Sequence, residues 1–209
     1  MKQKDTGTQL MRNILRGYQV STLAHLLRTI GYADTVSLNH AVIHHQSFKR
    51  SKMSIELRRI ASEREKLHEN HATSRPLSKD YEYIGLKGED KFAEEFGMDI
   101  DRELRPEGDG GKDFQSHIGI VDVKTARKAY NLIVEEKKVV SDIYVLAKYI
   151  DETDQAELLG WAYKDEVLEA PVRDFGYGII NHYIPKQELK NIQKLKDIIL
   201  NNKGEKHDN

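Results

Sequence analysis

The run Gly110-Gly111-Lys112-Asp113-Phe114-Gln115-Ser116-His117-Ile118-Gly119-Ile120-Val121-Asp122-Val123-Lys124-Thr125 constrains the fold more than any other part of this chain. Ile118 to Thr125 is rich in β-branched residues and bounded by turn signals, so it reads as a buried strand. Lys112 to Ser116 reads as a shorter strand before it. A tight turn at His117-Ile118 pairs Ser116 with Gly119 and, counting back, sets Asp113 opposite Asp122. A one-residue shift in that turn makes the pairing diagonal. Asp122 and Lys124 are two apart, so they share one face. Charges rarely interrupt such a strand unless they are paired or ligated.

Directly opposed residues have Cβ atoms roughly 4.5–5.5 Å apart and face the same way. Like charges placed so are destabilising, and a divalent cation between them removes that cost. All-oxygen ligation favours Mg²⁺, with Mn²⁺ as a substitute, over zinc. Lys124 can then stabilise a developing phosphorane charge or orient the attacking water. This pattern points to metal-assisted hydrolysis. The competing reading is a surface ion pair worth little. Asp109, in the glycine turn before the hairpin, rivals Asp113. That turn, Gly108 to Gly111, lacks the Lys-Ser/Thr ending of a phosphate-binding loop.

These residues together resemble the PD-(D/E)XK nuclease superfamily, the restriction-endonuclease-like fold. Its pattern is an acidic residue after a turn, a short gap, then Asp/Glu-x-Lys on the next strand. Here Lys112-Asp113 stands where many members have Pro-Asp, and Asp122-Val123-Lys124 supplies the second element. Many members add a Glu on the preceding core helix, and Glu89 in Gly85–Gly97 is its match, with Asp90, Glu94 and Glu95 as competitors. The resemblance covers roughly residues 81 to 200. Its order is helix (81–96), strand (98–104), hairpin (111–125), strand (142–150), strand (157–163) and a last helix (186–201). It implies an α/β fold, a mixed β-sheet core flanked by helices behind a small, mainly helical N-terminal domain. It also implies Mg²⁺-dependent hydrolysis of DNA phosphodiesters. Asp113, Asp122 and Glu89 are then the metal ligands, and Lys124 completes the catalytic set. A restriction-type or phage-encoded endonuclease is the expectation, in a prokaryotic cytoplasm. A junction-resolvase-like nuclease and a non-catalytic DNA-binding protein on the same scaffold stand as alternatives. Cutting both strands of a duplex often demands two sites, so a homodimer is a further expectation.

The chain has 209 residues and no cysteine. Thiolate zinc sites, cysteine nucleophiles and disulfide scaffolds are therefore excluded. No apolar run approaches the roughly 18 residues of a membrane helix, and the first residues lack the apolar core of a signal peptide. The net charge of −1 hides a split. Residues 1–76 hold 13 Lys and Arg against 6 Asp and Glu, while residues 77–209 hold 20 against 28. Such asymmetry points to a polyanion partner for the basic part. In the acidic part, Arg127, Lys128, Lys137 and Lys138 are the local cations for DNA.

Residues 1–76 read as a basic, mainly helical DNA-binding region and linker, and 77–209 as the nuclease domain. Leu10, Ile14 and Leu15 make one apolar stripe, and Leu23, Leu26, Leu27 and Ile30 another. With a further short helix over Ser37 to His45, the order is similar to helix-turn-helix or winged-helix modules. A plain helical scaffold uses the same pattern. Arg28, Lys49, Arg50 and Lys52 are the expected phosphate contacts, with Arg127 from the second domain. His40 and His44 are spaced i, i+4 with His45 beside them, but two histidines without a third ligand seldom make a metal site. Residues 53–72 read as a solvated helix, and the polar stretch 71–78 containing Pro76 as the linker.

Overall fold

A computed structural model describes residues 35–68, 80–105 and 110–201, with side chains from residue 47 onward. The chain separates into two compact units, Met1–Glu56 and Leu57–Asn209. What is described of the first is helix α1, Thr35–His68, up to the boundary. The short helix expected over 37–45 and the one over 53–72 are this single helix. Gln46 to Lys52 between them holds neither Gly nor Pro to break it. The expected solvated face holds for Ile55 and Leu67, which are exposed, but Leu57, Ile60 and Ala61 are buried. The helices expected over 8–30 and the linker at 71–78 lie outside the described residues.

The second unit is built on a mixed four-stranded sheet in the order β1 (Phe114–Ser116), β2 (Gly119–Ala126), β4 (Ile143–Ile150), β5 (Gln155–Tyr163). β2 runs antiparallel to β1 and parallel to β4, and β5 returns antiparallel to β4. Parallel neighbours need a crossover. This one carries β3 (Asn131–Glu135) and a 3₁₀ turn, Glu136–Lys138. β3 joins β7 (Ile180–Pro185) and β6 (Val172–Asp174) in a second, antiparallel sheet with β7 in the middle. Helices α2 (Tyr81–Phe96), α3 (Lys164–Glu169) and α4 (Ile192–Asn201) complete the unit. No described helix is long and apolar enough to cross a membrane.

β4 explains the layering. Ile143, Tyr144, Val145, Leu146 and Ala147 are all buried, the unbroken apolar run of a strand covered on both faces. On one face Tyr144 and Leu146 join Leu132, Val134, Ala162 and Val167 in a core shared with the second sheet and α3. On the other face lies α2. Its Gly88 approaches β2 so closely that a Cβ there would meet the Thr125 hydroxyl. Phe92 of α2 packs on Phe114 at 4.8 Å between ring centroids. The helix stops at Gly97, whose left-handed backbone lets its N–H donate to the Ala93 carbonyl.

Two expected elements differ. Residues 98–105 form no strand. Asp101 accepts the Glu103 N–H and pairs with Arg105, so local side-chain bonds take the place of a ladder. The last helix starts at Ile192 rather than 186. Lys190 bridges to Trp161, and Asn191 caps the helix by accepting the Gln193 N–H at 2.7 Å. Glu95 of α2 binds Lys196 of α4 at 2.5 Å and Lys91 at 3.1 Å. Burial pushes the Glu95 carboxyl up, but these two ammonium groups hold it below its ordinary range.

Candidate active site

The turn is tight at His117-Ile118. Ser116 pairs with Gly119, Gln115 with Ile120 and Phe114 with Val121. Gly119 has φ +126°, and a Cβ there would strike the Asp142 carboxylate, which accepts the Ile120 N–H at 2.7 Å. The regular ladder ends at Phe114. The Asp113 N–H donates to the carbonyl of Val121, already the partner of Phe114. The Asp113 carboxylate accepts the Val123 N–H at 2.6 Å. Asp113 therefore touches the residues on both sides of Asp122.

Asp122 and Lys124 stand on the same face of β2, as the two-residue period requires. The Lys124 ammonium is 2.6 Å from Asp122 Oδ2, with the carboxylate side chain 3% exposed and the lysine 39%. Their register partners on β4 are Tyr144 and Leu146. Burial pushes the Tyr144 hydroxyl above its ordinary range. The Ser141 N–H it accepts opposes that shift, and the Asp122 charge adds to it. Gly111 closes the other side, where a Cβ would lie 3.2 Å from Asp122 Oδ2. The Ser141 hydroxyl donates to the Gly111 carbonyl and fixes that backbone. Gly111, Ser141 and Tyr144 are additions to the sequence reading. Only the register of the parallel β2–β4 pair discloses them, and sequence carries no signal for it.

Glu89 is buried on α2, the helix that packs on the Val121, Val123 and Thr125 face of β2. Its competitors serve elsewhere. Glu94 pairs with Lys91, and Glu95 with Lys91 and Lys196. Burial pushes the Asp90 carboxyl up. Asp109 lies outside the described residues, as does Arg28, and so do the side chains of His40, His44 and His45.

Arg127 is held by two carboxylates, Asp80 at 2.5 Å and Asp151 at 2.9 Å. Hydrogen bonds from its guanidinium to Asp80 and then Asp151 raise its pKa. It acts as a clasp between the start of α2 and the β4–β5 turn, which limits it as a phosphate contact. Lys128, Lys137 and Lys138 are exposed, Lys138 pairing with Glu135. Lys49, Arg50 and Lys52 are exposed on α1 in the first unit. A second polar centre also forms. Asp154, with φ +51°, accepts the hydroxyls of Tyr83 and Tyr149 at 2.8 Å each and pairs with Arg58.

Among the described residues no group of three or more histidine and acidic side chains is gathered as a metal site. Mg²⁺ is commonly held by one or two carboxylates with waters and substrate phosphates, so an aspartate pair suffices. The donors present fit that habit. Both are carboxylates, an ammonium already sits as a cation beside Asp122 Oδ2, and Gly111 leaves room that a side chain would fill. Compared with protein-family models, curated proteins and solved structures, the chain gives no match.

Proposed function

We propose that this chain is a metal-dependent endodeoxyribonuclease of the restriction-endonuclease-like type. The observation that carries the reading is the Asp122–Lys124 pair on a buried central strand with Asp113 hydrogen-bonded beside it. A buried carboxylate next to a half-exposed ammonium suits a site where a phosphate dianion or its transition state arrives from solvent. A strand after the hairpin, over Ile143–Ile150, is in keeping with the element order that the resemblance gives.

Asp113 and Asp122 would hold Mg²⁺, which would polarise a phosphoryl oxygen and acidify a bound water. The resemblance adds Glu89 of α2 as a third ligand, and the aspartate pair alone suffices for Mg²⁺. The Asp122 carboxylate orients the Lys124 ammonium, and the Val123 N–H fixes Asp113. Lys124 then faces the developing charge on the phosphorane and steadies the attacking water. The basic residues 1–76 supply phosphate contacts. A second reading, a DNA-binding protein without catalysis, draws on the same contact, since Lys124 neutralises Asp122 with no metal.

The test is incubation with supercoiled plasmid and with short duplex, branched and single-stranded DNA, in Mg²⁺ or EDTA. Cleavage in Mg²⁺ alone is expected. Asp122→Asn is expected to lower the rate by at least roughly a hundredfold while DNA still binds. Absence of metal-dependent cleavage on every substrate overturns the reading. Full activity of Asp122→Asn overturns the site.

A further inference from the structure

The second sheet ends in an exposed aromatic hairpin that the site chemistry does not use. β6 is its edge strand, and residues 172–180 read Val-Arg-Asp-Phe-Gly-Tyr-Gly-Ile-Ile. Four large apolar side chains stand out to solvent within these nine residues: Val172 (51%), Phe175 (37%), Tyr177 (48%) and Ile180 (42%). Folding normally hides such groups, and a contiguous exposed set marks a contact surface.

The loop is held rather than loose. The Asp174 carboxylate accepts the N–H groups of Gly176, Tyr177 and Gly178 at 2.8–3.1 Å. Phe175 stands edge-on to Tyr183, with ring centroids 5.9 Å apart. The Arg173 guanidinium lies 5.6 Å from the Phe175 ring centre. Exposed aromatic rings with an arginine beside them, at the edge of a sheet, offer faces on which unpaired bases stack while the cation meets phosphate.

Strand pairing and chain order connect this hairpin to the candidate active site. Asn181, just past the loop, pairs with Glu135 at the end of β3. Glu135 leads directly into the turn that carries Lys137 and Lys138. The chain then reaches Val140 and Ser141, which flank Gly111, the residue against Asp122 Oδ2. Arg173 lies opposite Asn181 in the register, and Lys137 and Lys138 follow Glu135 in the chain, so all three fall along this connection. Glu135 and Glu136 interrupt it, and Asp174 is engaged with loop amides.

From this juxtaposition we infer that the hairpin stacks on unpaired bases of the substrate, so the preferred DNA is single-stranded, flapped or melted beside the cut. This rests on the nuclease reading for its substrate class but not for its measurement. The full chain is titrated in EDTA with a single-stranded oligonucleotide carrying 2-aminopurine, and with a blunt duplex of the same sequence. The expected result is tighter binding of the single strand with a change in 2-aminopurine fluorescence. Phe175→Ala/Tyr177→Ala is expected to weaken single-strand binding by roughly tenfold or more, with duplex binding little altered. Phe175→Trp is expected to keep the signal, and thermal melts report that each variant is folded.

Unchanged single-strand affinity in the folded double variant overturns the inference, whether or not cleavage occurs. A variant that loses self-association while keeping DNA affinity also overturns it and makes the β6 edge a contact between copies. Single-strand binding lost in the variant, without cleavage by the wild type, leaves the inference standing and removes the nuclease reading. No binding of any nucleic acid removes both.

Discussion

Lys124 is the residue at which the two readings of the site diverge. Its ammonium lies 2.6 Å from a carboxylate only 3% exposed. Lys124→Met removes that ammonium and leaves the charge beneath it, an arrangement expected to cost about 1–3 kcal/mol. The lysine is more than a third exposed, so water screens the pair and holds the loss to the lower end. Asp122→Asn/Lys124→Met removes both charges and is expected to regain part of the stability, measured by urea denaturation. The double variant reports stability alone, since Asp122→Asn removes cleavage by itself. A catalytic Lys124 loses cleavage in Lys124→Met at a temperature where that variant is still folded, and cleavage retained there makes Lys124 a structural counter-ion. The sharing of a face by Asp122 and Lys124 was legible because strand side chains alternate. Which face they share was not, since it depends on where α2 packs. The partners of Arg127 were not legible either, because Asp80 and Asp151 are distant in sequence and near only in the fold.

The element that fixes this geometry is α2, which makes a close approach to β2 at Gly88. A Cβ there would lie 1.9 Å from Thr125 Oγ1 and 3.0–3.1 Å from the threonine Cβ and Cγ2, so rotating the threonine brings no relief. Gly88→Ala is expected to destabilise by about 1–3 kcal/mol through overpacking. Gly85→Ala meets nothing within 4 Å and is expected to hold or slightly raise stability through helix propensity. Equal urea midpoints for the two variants would mean that α2 does not press on β2 in this way. α2, β4 and β5 were expected from the element order that the resemblance gives, and each forms close to its expected bounds. The second sheet was not. β3 and β7 are five and six residues long and pair across some 45 positions with no turn between them, and β6 has three residues. Local pattern carries no signal for such pairing.

At the scale of the whole chain, the charge split asks which residues meet DNA. Residues 77–209 are net acidic, and of their local cations Arg127 is clasped by Asp80 and Asp151 while Lys138 pairs with Glu135. The exposed cations Lys49, Arg50 and Lys52 on α1 belong to the basic stretch. A truncation at residue 76 is a poor test of that stretch. It also removes Leu57, Ile60 and Ala61, which are buried and fall in the unit Leu57–Asn209, and Arg58, which stacks on Tyr83 at 4.0 Å. Charge removal in the full chain isolates the electrostatic term. Each phosphate contact to duplex DNA contributes about 0.9 to the slope of log affinity against log salt concentration. Lys49→Gln/Arg50→Gln/Lys52→Gln is therefore expected to flatten that slope by about 2–3 units, read by fluorescence anisotropy between low and moderate salt. Cleavage of a saturating substrate is expected to change little, because none of the three lies in the Asp113–Asp122–Lys124 site. An unaltered slope would assign the polyanion contact to other residues and leave the charge split without a role in binding.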